Sequence, residues 1–584
     1  MKKFTFNLFH GQKPSNNQEF IKCFPTWWYY TEGIPVKAGD LNGNAKWLLA
    51  GRLLNDQDPS KIIDYFYRRR DYEYLYQIDG QFIFILYFEN DGSVEIYRDR
   101  IGTFPIAYAQ GRNGIAISVD INDVKDMTGI VPSPSTGIFE QWPLYRKTFA
   151  PVSPFYEIHT LAPEHSLRIT GSSFNEISHP MCFPTEEEYP DMNISSQVLG
   201  DVLSRSIQKR IEISKRMGVF LSGGNDSSLI VAIVRKFYLK KLRTLFVTFE
   251  DNPRDYGHHA QEVADRFGTD HSSVTLSPRD YVGVWADTIK VLQTPVPMPC
   301  HIGIHHALKM LSGDVDLMID GDGADTVFGS SIWPEMIFLS RINRFIPTYL
   351  KDGIGRLAHS MSCNTTIVRI AEMIKTALNS SLYEYPHVNA AMISESEFNQ
   401  IFLRGDWQQA VHFRQGFARG DFYKGLFSYL MLHGIPEDLA TTVRLGLSQG
   451  IFFAYPFLDY GLLQASMRLP NKHRYHYRIR KAPLKKYSLN YFDKDFVYKP
   501  KEGFGVPLAS WFTKKEFEPF LMLPLEERSL KRGWWKELEL KRIIDLHRRG
   551  EGNDSSAEAI PWIVINLELW ARICIDGDSP SQYK

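Results

Sequence analysis

Cysteine is scarce in this chain: five among 584 residues, at Cys23, Cys182, Cys300, Cys363 and Cys574, with no Cys-x-x-Cys. That scatter excludes a disulfide framework or a zinc site and fits a reducing cytoplasm. Net charge is also missing. Lys+Arg and Asp+Glu both number 67, so nothing argues for a nucleic-acid partner. The short run Arg68-Arg69-Arg70 reads as a solvated helix face. No apolar stretch approaches the roughly 18 residues that span a bilayer, so no membrane partner is expected. The N-terminus, Met1-Lys2-Lys3-Phe4-Thr5-Phe6-Asn7, lacks the sustained apolar run of a signal peptide. No Gly-Lys-Ser/Thr follows a glycine-rich turn, which excludes a Walker A loop. What remains is an ordinary globular composition, 43% apolar, long enough for two or more domains.

One stretch organises the rest. In Val219-Phe220-Leu221-Ser222-Gly223-Gly224-Asn225-Asp226-Ser227-Ser228 an apolar run stops at a Ser-Gly-Gly turn. A helical apolar pattern (Leu229, Ile230, Ala232, Ile233) follows at once. This is a strand, a glycine loop and a helix N-terminus. Glycines let the backbone approach a ligand and aim its N–H groups inward. The helix end favours negative charge, and Ser222, Ser227 and Ser228 add hydroxyl donors. The spacing S-G-G-x-D-S-S resembles the pyrophosphate loop of enzymes that split ATP into AMP and pyrophosphate. The alternative, a glycine-rich turn that happens to precede a helix, explains the full pattern less well.

Residues 1 to about 185 read as mostly β. Gln81 to Phe88 is a strand rich in aromatic and β-branched residues. The turn Glu89-Asn90-Asp91-Gly92 leads into Val94 to Asp99. Pro105 to Ala109 and Ile115 to Val119 form a second hairpin around Gly111-Arg112-Asn113-Gly114. Pro180 to Pro190, with Glu186-Glu187-Glu188, reads as a linker. Leu199, Val202, Leu203, Ile207 and Ile211 then fall at helical spacing.

Beyond the loop, strands and helices alternate. Leu245 to Phe249, Ser273 to Leu276 and Leu317 to Asp320 read as strands; His259 to Phe267 and Tyr281 to Leu292 read as helices. Alternation predicts a parallel sheet with ligands at the carboxyl ends of its strands. Residues from about 332 to 440, with Trp333, Phe338, Phe345 and Tyr349, read as mainly helical. The chain from Trp534 reads as amphipathic helix.

Two further motifs bear chemistry. Asp320-Gly321-Asp322-Gly323-Ala324-Asp325 sets three carboxylates on a glycine loop after a strand. They repel one another unless a cation sits among them, and hard oxygen ligands near a triphosphate suit Mg2+. An acidic surface turn is the blander reading. The third motif is Lys481-Ala482-Pro483-Leu484-Lys485-Lys486 with Tyr498-Lys499-Pro500-Lys501-Glu502-Gly503. Taken alone, these lysines read as solvated charges. An ammonium is nonetheless the group that neutralises charge between a carboxylate and an α-phosphate.

Two resemblances follow from these residues. Asp79-Gly80-Gln81-Phe82 and Arg98-Asp99-Arg100-Ile101-Gly102 to Tyr108 resemble the glutaminase domain of asparagine synthetases and other class II amidotransferases. In that family the residue after the initiator Met is the cysteine nucleophile; here it is Lys2, and the first cysteine is Cys23. The resemblance therefore implies a glutaminase-like domain without glutaminase chemistry. The three loop motifs, with Phe249-Glu250-Asp251 and Tyr455-Pro456-Phe457-Leu458-Asp459, resemble the synthetase domain of the same family. The implied architecture has two parts. Residues 1–185 form an α+β domain of antiparallel sheets (Ntn, glutaminase-like). Residues 190–584 form an α/β ligase domain with a parallel sheet (adenine nucleotide α-hydrolase-like, PP-loop) and helical additions.

Carried over residue by residue, the resemblance implies that Leu221, Ser222, Gly223, Gly224, Asp226, Ser227 and Ser228 bind ATP. Val247 lies beside the adenine and Gly321 near the nucleotide. Asp226 and Asp325 match the Mg2+ ligands. Asp322 lies at the reacting centre, and Lys501 matches the lysine that stabilises the transition states. One departure stands out. Where the family has Glu-x-Arg before x-Pro-Phe-Leu-Asp, this chain has Phe452 and Ala454. Loss of the cysteine and of these two charges resembles the lasso peptide cyclases. That branch implies an enzyme that adenylates an Asp or Glu side chain of a precursor (core) peptide and closes an isopeptide ring on the peptide's N-terminal amine. A lasso leader peptidase would be a further partner, and Phe452 would help line a peptide chamber. A small-molecule ligase (β-lactam-forming or ammonia-using) and a non-catalytic ATP-binding scaffold are the alternatives.

Overall fold

The protein is described by a computed structural model. It describes every residue except 1–2, 13–18, 42, 55–57, 183, 185–190, 253–256, 329–392, 394, 413–426, 428–429, 475, 477–478, 501–504 and 552–554. Most of the proposed linker, the aromatic segment from Trp333 to Tyr349, Lys2 and Lys501 lie outside the described residues.

The first half builds two antiparallel sheets. One runs β10-β8-β9-β1-β3-β2, from β1 (Thr5–Gly11), β2 (Ile21–Phe24), β3 (Trp27–Glu32), β8 (Ala107–Gly111), β9 (Gly114–Ser118) and β10 (His159–Thr160). The other runs β12-β11-β7-β6-β5-β4, from β4 (Val36–Leu41), β5 (Ala45–Leu53), β6 (Gly80–Phe88), β7 (Val94–Arg98), β11 (His165–Thr170) and β12 (Ser173–Ser178). The apolar run of β6 is explained by burial on both faces. Ile83 and Ile85 join the core shared with Leu8 and Ile117, whereas Phe82, Phe84 and Leu86 pack with Ile63 and Phe66 of the helix Pro59–Arg69. Both predicted hairpins are present, β6 with β7 and β8 with β9.

Arg68-Arg69-Arg70 is not one solvated face. The helix ends at Arg70 in a left-handed conformation (φ 52°), which turns that side chain back over the sheet. Arg70 Nη1 then donates to Glu95 Oε2 at 2.7 Å and to the Tyr97 hydroxyl at 3.0 Å.

The second half is a parallel sheet, β15-β14-β13-β16-β17, from β13 (Met217–Phe220), β14 (Arg243–Phe249), β15 (Asp270–Leu276), β16 (Leu317–Ile319) and β17 (Phe452–Ala454). The helix Met192–Ile211 leads into it, N-capped by Asp191, which accepts from the N–H groups of Asn193 and Ile194. The helix Pro278–Leu292 starts with a reciprocal Ser277/Asp280 capping box. Helices expected at His259 to Phe267 and Tyr281 to Leu292 are present as Gly257–Phe267 and Pro278–Leu292. The helix Ser555–Trp570 departs from expectation. Its residues from Ile560 onward are buried all round, Asn566 and Glu568 included. Asn566 Oδ1 accepts from Trp285 Nε1 at 3.0 Å and from the Val296 N–H at 3.1 Å, and Glu568 pairs with Arg572 at 2.6 Å and Arg532 at 3.1 Å. These partners let a polar pair sit inside an otherwise apolar helix.

The halves are joined by buried charge. Asp79 Oδ1 takes Arg100 Nη2 at 2.7 Å, and Asp79 Oδ2 takes Lys209 Nζ at 3.0 Å. Arg100 Nη2 also donates to the Leu458 carbonyl at 2.8 Å. Across the boundary, Asp459 Oδ2 takes Arg210 at 3.1 Å, while its Oδ1 accepts from the Gly461 N–H and so caps the helix Tyr460–Arg468. Burial alone would raise the Asp79 carboxyl; Arg100, Arg210 and Lys209 hold it well below the usual range. The Asp-Gly-Gln-Phe, Arg-Asp-Arg and Pro-Phe-Leu-Asp motifs thus converge on a single network.

Candidate active site

The site lies at the carboxyl ends of β13 and β16. After β13, the Leu221 N–H donates to the Leu245 carbonyl at 2.9 Å, which fixes the start of the loop on the neighbouring strand. Gly223 has φ 71°, and a Cβ there would meet the Ala260 backbone nitrogen at 2.8 Å, so only glycine fits. Gly224 is the N-cap of the helix Asn225–Phe237. The loop is braced by its own hydroxyls. Ser222 Oγ lies 3.0 Å from Ser227 Oγ, and the Ser222 N–H donates to Ser227 Oγ at 3.2 Å. Ser222 is exposed, but Ser228 is completely buried and its hydroxyl has no partner. The Ser228 hydroxyl is thus a buried donor without a partner. Val247 is 5% exposed, and its Cγ1 would be 3.2 Å from a Cβ on Gly303.

The second motif closes against this loop. A Cβ on Gly321 would lie 3.8 Å from Asp226 Cβ and 3.9 Å from the Ser227 nitrogen. Gly323 adopts φ 94°, and a Cβ there would strike Leu458 Cδ2 at 2.4 Å. The Asp320 N–H donates to the Ala454 carbonyl at 3.0 Å, tying the acidic loop to β17. Asp322 keeps a solvent-exposed side, while the protein packed around it strips much of the hydration from its carboxyl. That enclosure, with Asp320, Asp438 and Asp325 nearby, pushes its carboxyl well above the usual range, against a smaller opposing effect of Lys481. Burial raises Asp320 to about 6. Tyr455, also buried, shares a 2.7 Å hydrogen bond with the Thr442 hydroxyl.

Lys481 and Lys499 are drawn into the protein. Lys481 Nζ lies 2.5 Å from Asp226 Oδ2 and 2.8 Å from Asp325 Oδ1. Burial alone would lower its pKa; the two carboxylates raise it above that of a free lysine. Lys499 Nζ donates to the Gly223 carbonyl at 2.8 Å and lies 3.6 Å from the Phe496 ring centroid. Burial brings its pKa down to about 8. In sequence Lys499 reads as solvated because its contact is 276 residues away; Tyr-Lys-Pro-Lys carries no periodic sign of which lysine turns inward. Lys501 lies outside the described residues.

The structure brings Asp226, Asp325, Gly321 and the Ser-Gly-Gly loop together. Among the described residues no cluster of three or more His, Cys, Asp or Glu forms a metal cage. Two carboxylates whose charge needs compensation suit Mg2+ held jointly with a triphosphate. Asp226 and Asp325 would hold it, and it would screen charge on the phosphates.

Phe452 does not face a peptide chamber. It is 2% exposed, with the Phe4 ring at 5.1 Å, the Phe104 ring at 6.4 Å and the Arg52 guanidinium at 4.1 Å. All three belong to the first half of the chain, so Phe452 is inter-domain packing. Beside it lies a cavity of about 50 Å³ lined by Arg52, Gln81, Asp99, Thr103, Phe452 and Ala454.

A family model described as asparagine synthase matches residues 198–572, and one for a glutamine amidotransferase domain matches residues 53–179. The chain belongs to the asparagine synthase family. An asparagine synthetase [glutamine-hydrolyzing] 1 of Bacillus subtilis is 23% identical over 551 residues, 90% of this chain and 82% of that protein. A putative asparagine synthetase of Mycobacterium bovis is 21% identical, covering 86% of this chain and 78% of its own. Among solved structures, an NMN synthetase from Francisella tularensis covers 24% of this chain and 59% of its own, at 18% identity and a TM-score of 0.19. A glutamine phosphoribosylpyrophosphate amidotransferase from B. subtilis covers 47% and 85%, at 10% identity and a TM-score of 0.21. This asparagine synthase family member is an ATP-dependent amide ligase: it forms a carbon–nitrogen bond while ATP becomes AMP and pyrophosphate. The family in general uses ATP and Mg2+. The fold is the expected pair, antiparallel amidotransferase-like sheets followed by a parallel α/β domain. No helix among the described residues is long and apolar enough to cross a membrane.

Proposed function

We propose that this ligase is a macrocyclase of the lasso-peptide type. It activates an Asp or Glu side chain of a precursor peptide as the acyl-adenylate and joins it to that peptide's own N-terminal amine. The observation that carries this reading is the state of the thiols. Burial pushes Cys23, Cys300 and Cys574 up to about 12, and a hydrogen bond to Glu73 raises Cys182. At each of these described thiols the shift disfavours the thiolate, and the thiolate is what attacks glutamine. The amine then comes with the substrate instead of from the first domain. The aromatic packing of Phe4, Phe104 and Phe452 between the halves agrees with this.

The chain's own residues have definite parts. The Leu221 to Ser227 loop and the Asn225–Phe237 helix end take the phosphates. Asp226 and Asp325 take the cation that neutralises them, and Lys481 and Lys501 supply further positive charge. Asp322, whose carboxyl is pushed upward by its surroundings, lies where the peptide carboxylate meets the nucleotide. A carboxylate is a poor acyl donor, and AMP makes it a good one. Holding amine and acyl group in one peptide contributes about 7–11 kcal/mol toward the barrier. A cytoplasmic setting, a leader peptidase as partner and no nucleic-acid partner complete the reading.

The test is incubation with a candidate precursor peptide, its leader peptidase and Mg-ATP. The expected product lacks one water and resists carboxypeptidase. Ammonia-dependent conversion of free aspartate to asparagine, with the peptide left linear, would overturn the macrocyclase and favour the small-molecule ligase.

A further inference from the structure

Lys481 is the first lysine of Lys-Ala-Pro-Leu-Lys-Lys, directly before the helix Ala482–Ser488. Its backbone is left-handed, φ 55° and ψ 38°, a conformation that costs a non-glycine residue about 1–3 kcal/mol and persists where the surroundings enforce it. Here the surroundings are two carboxylates. The side chain, 6% exposed, places its ammonium 2.5 Å from Asp226 Oδ2 and 2.8 Å from Asp325 Oδ1. One carboxylate comes from the helix after β13, the other from the short helix Ala324–Val327 after β16, so the ammonium also ties together the two segments that follow these strands. A divalent cation shared by Asp226 and Asp325 would have to enter where this ammonium lies. Two cations do not share such a place without a large repulsion.

We propose that Lys481 is an internal counter-cation. In the nucleotide-free enzyme it neutralises Asp226 and Asp325 and keeps divalent metal out. The metal enters only together with the triphosphate, whose charge gives the displaced ammonium a new partner. Lys481 thereby imposes joint loading of metal and nucleotide. It also holds both loops in register before either arrives. The inference rests on Asp226 and Asp325 as the metal ligands, and is independent of which acid and amine the enzyme joins.

The test needs neither peptide nor turnover. Mn2+ binding to the full-length, nucleotide-free protein is titrated by electron paramagnetic resonance. Wild type is expected to bind Mn2+ weakly, and an unreactive ATP analogue to raise its affinity beyond that of the analogue alone. Lys481→Gln, which keeps hydrogen-bond donors but loses the charge, is expected to bind one Mn2+ at least about tenfold more tightly than wild type without nucleotide. Adding Asp226→Asn to Lys481→Gln should abolish that gain. Lys481→Arg and the exposed-lysine control Lys494→Met should behave as wild type. If Lys481→Gln does not fold, the wild-type titration decides alone. Tight nucleotide-free Mn2+ binding by wild type, or no gain in a folded Lys481→Gln, overturns the proposal. Failure of cyclisation leaves these readings untouched.

Discussion

The guanidinium of Arg52 lies 4.1 Å from the centroid of the Phe452 ring. One belongs to β5 of the first half, the other to β17 at the edge of the parallel sheet. Among the described residues Arg52 has no carboxylate within ion-pair distance, and burial lowers its pKa. The ring therefore serves as the partner of a half-buried cation. Phe452→Ala should cost about 3–5 kcal/mol by opening a cavity between the halves. Phe452→Glu should cost less than Phe452→Ala, because its carboxylate would meet Arg52. Urea unfolding at pH 7.5 separates these outcomes, and equal losses would contradict the assigned contact.

Asp226→Asn should lower ATP–pyrophosphate exchange by at least about a hundredfold, as expected when a cation worth several kcal/mol of charge stabilisation loses a ligand. The circular dichroism spectrum should be unchanged. Normal exchange would remove Asp226 from the metal site.

Asp79→Ala should destabilise the protein by about 3–5 kcal/mol, because it leaves Arg100 buried without its carboxylate. Thermal unfolding should show the loss, together with easier separation of the two halves by limited proteolysis. A change under about 1 kcal/mol would deny the network its structural part.

Gly323→Ala should destabilise by about 1–3 kcal/mol, given φ 94° and a Cβ 2.4 Å from Leu458 Cδ2. It should also displace Asp322 and Asp325 and raise the KM for ATP. An unchanged KM would mean that the loop repacks without moving its carboxylates.

Glu164 gives the pH dependence. Burial lifts its carboxyl from 4.5 to about 7, while one hydrogen bond from the Met181 N–H opposes the rise. A carboxyl bound more tightly to its proton in the folded state favours folding below pH 4.5. That contribution fades as pH rises and is lost above about 7. Glu164→Gln keeps an acceptor for Met181 and removes the charge. It should therefore stabilise the protein by up to about 3 kcal/mol at pH 8 and by much less at pH 5. Equal effects at both pH values would contradict the shift.

The sequence by itself determined the activation chemistry. Strand, Ser-Gly-Gly loop and helix are consecutive, so hydrophobic periodicity and glycine placement expose them locally. The Asp320 to Asp325 run is equally local, since its second glycine reports the left-handed turn and close approach found at Gly323. The antiparallel and parallel sheets were legible for the same reason: hairpin turns and strand–helix alternation are short-range patterns. Tertiary structure alone decided where charge and aromatic surface went. Arg100 and Leu458 meet across 358 residues, and Lys481 and Asp226 across 255. Nothing periodic marks such pairs, so Lys481 and Lys499 read as solvated and Phe452 read as a chamber wall. Fold closure brought two carboxylates, from the helices after β13 and β16, to one ammonium. It also pressed one ring against an arginine of the other half. Burial then shifted the carboxyl of Glu164 upward, because the cost of a charge depends on what surrounds it, not on its neighbours in sequence.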